Sequence, residues 1–319
     1  MMLFESPDFE DAIKAAQNHF KNLGLTEQFI EKDYYVTEAL RIVARHYPYE
    51  VIFKGGTSLS KGWKLINRFS EDIDLFLDPN AFVPPIKKKK VDENLKRIEE
   101  LVGEYKGLNL NIEKRFSKRY ISRQSYFSYE PRFSGNIIIS NQIFLEMGIR
   151  SGNYPTETRT ISSFLAQFIQ ETNQSIGAED ESSFPIKILH FRRTFIEKLL
   201  LLDSKIKDYL TKQTPIANHV RHYYDIFCLA KEPDVEAMLK SEEYQDIKRD
   251  CFQISSKFYE SNYTEDFKLS ESLAFFPDTQ ELRQTLSREY GNQCAILCYG
   301  EYPTWEEIES LFLELRDIL

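Results

Sequence analysis

The chain has 319 residues, more than the ~100–200 of an ordinary single domain, so two domains are expected. A hydrophobic content of 42%, with 24 Phe and 18 Tyr, excludes a disordered chain, and a formal net charge of −9 excludes a protein coated uniformly in nucleic acid, though not a local basic groove. No apolar run approaches the ~18 residues that span a membrane, the N-terminus MMLFESPDFEDA lacks a signal-peptide core, and four cysteines (Cys228, Cys251, Cys294, Cys298) are too few for a disulfide framework, so a cytoplasmic protein with reduced thiols is expected.

Residues 26–47 read as a helix with Phe29, Val36, Leu40 and Val43 on one stripe. Residues 50–54 are β-rich, and Gly55-Gly56 ends them. Leu59, Trp63 and Ile66 then mark one face of a short helix. From 69 to 77 the pattern alternates: Ile73, Leu75 and Leu77 point one way, Ser70, Asp72 and Asp74 the other. After Pro84-Pro85, the Lys87 to Lys90 run reads as a solvated loop. Val91, Leu95, Ile98, Val102 and Tyr105 form the stripe of another helix. Leu108, Leu110 and Ile112 alternate as a strand, and 137–139 and 143–149 look like two more. The polar, acidic stretch 171–185 is the expected linker. Beyond it Ile188, Phe191, Phe195, Leu199, Leu202, Ile206 and Leu210 keep a helical period. Thr304 and Glu307 form a capping box before a last helix carrying Trp305, Ile308 and Phe312. The expected organisation is α+β, with a mixed-sheet domain over 1–175 and a mainly helical one over 176–319.

The densest chemistry lies in FKGGTSLSKGWKLINRFSEDIDLFLD, residues 53–78. A Gly-Gly turn opening a helix presents backbone N–H groups and a positive dipole end, which suit a phosphate. Gly55 and Gly56 allow close approach, and Thr57 and Ser58 could add hydroxyl donors. Asp72 and Asp74 share a strand face, and neighbouring anions repel unless a cation lies between them. Oxygen ligands at this spacing suit Mg2+, with Mn2+ as a substitute. Alone, a glycine pair usually just turns the chain and a D-x-D is usually a solvated strand face. Together, with residues 57–71 long enough for one helix and a return strand, cradle and carboxylates would face each other.

Glu146, in IFLEMGI, is a lone acid in an apolar run, expected to be buried and to meet a metal, a base or an arginine. Lys198 lies on the apolar stripe of its helix and needs an anion, unless it snorkels past the edge. Asp225 follows Arg221 by four residues, the spacing of an ordinary ion pair. His219 and His222 lack a third metal ligand, and Cys294 and Cys298 lack a second pair, so packing or hydrogen bonding is expected of them. Between 114 and 133, Lys114, Arg115, Lys118, Arg119, Arg123 and Arg132 interleave with Phe116, Tyr120, Tyr126, Phe127, Tyr129 and Phe133. That composition serves single-stranded RNA, or simply a solvated basic strand face.

A glycine pair, a helix, D-x-D on the next strand and a later third acid resemble the nucleotidyltransferase superfamily that includes DNA polymerase β and the antibiotic nucleotidyltransferases. More narrowly, IEKDYYV (30–36), FKGGTSLSK, RFSEDIDL, RRTFIEKLLLLDSK (192–205) and RHYYDIFCLA (221–230), in this order, resemble the AbiEii/MenT family of toxins from abortive-infection and toxin–antitoxin systems. The resemblance implies a polymerase β-like core and an NTP with Mg2+ held by Asp72, Asp74 and Glu146. It implies a triphosphate on Gly55, Gly56, Thr57, Ser58 and Lys198, with Asp225 in the same site and Ser70 as a phosphate contact; Glu71 is an extra acid on the opposite strand face. It further implies NMP transfer to an RNA acceptor, a tRNA 3′ end, and an AbiEi-type antitoxin encoded nearby. Transfer to a small molecule or protein side chain, and a nucleotide-binding regulator without catalysis, are the alternatives.

Overall fold

The computed structural model describes residues 1–70, 72–133, 140–258 and 268–319. Glu71 and the strand expected at 137–139 lie outside them. The chain forms two compact units, one of Met1–Lys64 with Phe69–Leu189, the other of Leu65–Arg68 with His190–Leu319.

The first unit is built on a seven-stranded mixed sheet. Its strands are β1 (Val51–Lys54), β2 (Asp72–Leu77), β3 (Asn109–Lys118), β4 (Ser122–Ser128), β5 (Gln142–Gly148), β6 (Thr156–Ile161) and β7 (Phe184–Leu189), in the order β3-β4-β5-β2-β1-β7-β6. β2 runs antiparallel to β1 and parallel to β5. The alternation expected of β2 holds, and β5 alternates as well: Ile73, Leu75, Leu77, Ile143, Leu145 and Met147 are buried. Their sheet face carries the helices α1 (Phe9–His19), α2 (Glu27–His46), α4 (Lys88–Gly103) and α5 (Phe164–Thr172). The opposite face closes at one end, where Ile52, Phe76 and Leu189 pack together, and opens toward Asp72 and Asp74.

One stripe was expected of α2, yet the helix is buried nearly all round, including Glu31, Lys32, Asp33, Glu38 and Arg41. Each buried charge has a partner, as burial demands. Glu31 accepts from the Arg132 N–H at 2.8 Å, and Lys32 donates to the Ser140 carbonyl at 2.8 Å. Asp33 takes Lys61 at 2.5 Å and the Phe164 N–H at 2.8 Å, and Glu38 pairs with Arg41 at 3.0 Å. Through Glu31, Lys32 and Asp33, IEKDYYV therefore ties four distant positions, Arg132, Ser140, Lys61 and Phe164, to the helix.

Three other expectations are corrected. Lys88 to Lys90 form the first turn of α4, not a loop, with their ammonium groups in water. The polar stretch 171–185 lies inside the first unit and is tied down: Asp180 is fully buried and accepts from the Leu3 N–H at 2.9 Å and from the Tyr34 hydroxyl. Ile188 belongs to β7, because the His190 side chain accepts from the Arg192 N–H and starts α6 (Phe191–Lys212) after it.

The second unit is helical. α7 (Arg221–Ala230) packs against α6, α8 (Pro233–Leu239), α10 (Gln280–Leu297) and α11 (Trp305–Leu315), and α9 (Glu242–Phe258) lies against α6 and α8. Both halves of the Thr304–Glu307 capping box are made. The short return segment Leu65–Arg68 joins this unit through Asn67, whose N–H donates to the Tyr224 hydroxyl and whose carbonyl accepts from Tyr299. None of the four cysteines is in a disulfide, and no helix among the described residues is long and apolar enough to cross a membrane.

Candidate functional site

In the first unit, strand register places the acids. Asp74 is the partner of Lys54 on β1 and of Glu146 on β5, and Glu146 of Gln124 on β4. One step along, Asp72 is opposite Phe144, and Phe144 opposite Tyr126. Residues paired this way share a face, so Asp72, Asp74 and Glu146 stand on the sheet face away from α2 and α4. Asp72 and Asp74 are half-buried, whereas Glu146 is exposed. The burial expected of Glu146 is thus corrected. Its apolar neighbours Leu145 and Met147 turn to the helix-covered face, and the acid turns to water.

The glycine turn meets this row directly. Gly55 has φ +77, and a Cβ there would lie 1.9 Å from Asp74 Oδ2. Only glycine permits that conformation beside that carboxylate. A helical turn, α3 (Gly55–Thr57), starts at once and passes into a π-helix, Ser58–Trp63. Its first N–H groups are those a helix leaves without an intrahelical acceptor. The Thr57 hydroxyl donates to the Asp72 carbonyl at 2.5 Å, with the Ser70 carbonyl at 3.4 Å, and the Ser58 hydroxyl to the Gly55 carbonyl at 2.8 Å. The Thr57 hydroxyl therefore locks the turn onto β2 and the Ser58 hydroxyl closes the turn on itself, so the backbone N–H groups rather than the hydroxyls are the donors left for an anion.

The donor set is hard oxygen, as Mg2+ requires. Among the described residues no three His, Cys, Asp or Glu side chains are close enough to hold a metal by themselves. Two carboxylates two residues apart fit the ion's habit of taking one or two carboxylates and completing its shell with phosphate oxygens and water.

Lys198 and Asp225 lie in the second unit, joined to each other. Lys198 Nζ is 2.7 Å from Asp225 Oδ2, and the Arg68 guanidinium grips both oxygens of Asp225 at 2.6 and 2.8 Å. Asp225 is fully buried. Burial pushes its carboxyl up, but Arg68 and Lys198 outweigh that and hold it well below the usual carboxylate range. The anion that Lys198 needs is thus Asp225, and the charge beside Asp225 is a residue far away in sequence rather than Arg221. Sequence reading missed Arg68, the first residue of RFSEDIDL, because a lone arginine between a turn and a strand carries no periodic signal. His222 Nδ1 sits 3.0 Å from Lys198 and 3.3 Å from Asp225. Burial and the neighbouring ammonium push its imidazole down to about 3, so it is a neutral hydrogen-bonding partner.

The basic-aromatic stretch divides by strand parity. Arg123 and Arg115 pair with buried Glu99 at 3.0 and 3.3 Å, Phe127 is core, and Tyr129 stacks on Tyr35 at 4.3 Å. These belong to the framework. Tyr126 shares the face of the acids, and the Lys114 ammonium lies 5.7 Å from its ring centre.

A family model described as AbiEii, nucleotidyl transferase toxin of type IV toxin–antitoxin systems, matches residues 38–293. Comparison with curated proteins gave no match.

Proposed function

The chain belongs to the AbiEii family of nucleotidyl transferase toxins of type IV toxin–antitoxin systems, and from that premise we propose that it transfers a nucleoside monophosphate from an NTP, with Mg2+ or Mn2+, to the 3′ end of an RNA acceptor, tRNA in particular. The observation that carries this reading is Gly55 pressed against the Asp74 carboxylate, which brings helix-start N–H groups beside a pair of acids on one strand face.

Asp72 and Asp74 would hold the divalent ion, and Glu146, in register with Asp74 on β5, is the third acid of the row rather than a third ligand. When bound, that ion supplies positive charge to the phosphate oxygens as the transition state forms. The backbone N–H groups at the start of the Gly55 helix bind the triphosphate tail. Glu146, the exposed acid, takes the proton from the acceptor hydroxyl on a carboxylate oxygen. The hydroxyl oxygen bonds to the α-phosphorus, the bond to the β-phosphate bridge breaks, and pyrophosphate leaves. The protein acts in the cytoplasm against an AbiEi-type antitoxin encoded nearby.

The test is incubation with labelled ATP, CTP, GTP or UTP, Mg2+ and total cellular RNA and protein. Label is expected on RNA and is expected to fall in Asp72→Asn and Asp74→Asn by more than the roughly 10–100-fold that losing an outer-shell partner costs. Label on protein or small molecules with none on RNA would replace the acceptor, and no incorporation at all would leave a nucleotide-binding regulator.

A further inference from the structure

Beside the acids, on the same open face, stands an aromatic pair that the sheet core does not use. Phe144 is opposite Asp72, and Tyr126 opposite Phe144; their rings stack at 4.6 Å with 28° between planes. Both are half-exposed, while their strand neighbours Ile143, Leu145 and Phe127 are buried. β3 is irregular between Asn111 and Phe116, and Lys114 in that bulge lies over the Tyr126 ring. Asn111 Oδ1 accepts from the N–H groups of Glu113 and Lys114, and the Lys114 ammonium donates to Gln142 Oε1 at 3.0 Å. The same hairpin carries Lys118 and Arg119, both exposed.

Direction follows from strand order. The Gly55 turn reaches Asp74 from the β1 side, and β5 and β4 lie on the other side of β2. Attacking and leaving oxygens are in line across the transferred phosphorus. With pyrophosphate leaving toward the turn, the acceptor hydroxyl arrives over β5 and β4. We propose, resting on the transfer reaction above, that Phe144 and Tyr126 stack the terminal base of a single-stranded RNA acceptor and that Lys114 holds its backbone phosphate. Stacking is sequence-tolerant and is what aromatic side chains add to a basic groove.

The experiment uses the full chain and a short single-stranded RNA carrying 2-aminopurine at its 3′ end, whose fluorescence is quenched on stacking. No chemistry is needed for the signal, so it reports on the platform even if transfer to RNA fails. The expected result is quenching with wild type, loss of it in the Tyr126→Leu and Phe144→Leu double variant, and retention in Tyr126→Phe. Apparent RNA affinity should fall about 10–100-fold in the double variant, and less in Lys114→Ala, with NTP affinity unchanged. Leucine keeps the apolar packing, and unchanged NTP affinity certifies the fold. No quenching with wild type, or quenching that survives loss of both rings, overturns the proposal. An equal fall in NTP affinity also overturns it, by assigning the rings to the incoming base.

Discussion

Gly55 shows how much chemistry one missing atom allows. Its positive φ costs an L-residue about 1–2 kcal/mol, and a Cβ would also displace the Asp74 carboxylate. Gly55→Ala is therefore expected to lower transfer by about 100-fold, the scale of a ~1 Å misplacement, with a stability loss of at least about 1–2 kcal/mol. Gly62 is the control. A Cβ there meets only the methyl end of Ile188, so Gly62→Ala should cost about 1–3 kcal/mol by overpacking while kcat stays near wild type. Urea unfolding and single-turnover transfer on both variants separate the two effects; equal kcat losses would show that the Gly55 contact has no special role. Glu146 teaches the converse lesson: its residue type was legible and its exposure was not, because parity decides which face a strand residue takes.

At the scale of elements, the α6–α7 pair is held by a buried charge set. Asp225 answers Arg68 and Lys198, and His222 stays neutral beside them. The pH dependence follows in sign. The unfolded imidazole titrates near ~6.5 and the folded one at about 3, so between these values the unfolded chain binds more protons and stability rises with pH. This contribution is complete above the unfolded value and declines on acidification. Asp225, depressed when folded, acts in the same direction at lower pH. The second unit, followed through Trp305 in a Trp63→Phe background, should thus unfold at lower urea at pH 5 than at pH 7.5, with a shallower dependence in His222→Asn. Glu38 in α2 has the opposite sign. Burial raises it to about 7 against Arg41, so the stability of its protonated form declines as pH rises through that value. Helix periods read correctly from sequence here, but the charge partners did not, since they join elements far apart along the chain.

For the whole molecule, the units do not divide at one point of the chain, because Leu65–Arg68 belongs with His190–Leu319. A fragment of residues 190–319 therefore keeps Asp225 and loses Arg68. Breaking a buried pair by removing one partner costs about 3–5 kcal/mol, so the fragment should unfold at markedly lower urea than the same helices in the full chain. Equal midpoints would mean that Arg68 contributes nothing. The polar run at 171–185 has the composition of a tether, but composition reports only solubility. The structure uses it as packed backbone, with Asp180 buried under Tyr34 and Leu3.

Sequence by itself determined the α+β class, the alternation of β2, the presence of a strand at β5, the Gly-Gly and D-x-D pieces, and the family that their order along the chain resembles. Those are local: periodicity, turn chemistry and residue type act within a few positions. Tertiary structure decided that Gly55 touches Asp74, that Glu146 stands exposed in register with it, and that Asp225 belongs to Arg68. It also separated the framework arginines from the open Tyr126–Phe144 pair. Such facts depend on strand register and on contacts between residues distant in sequence, which no local pattern encodes.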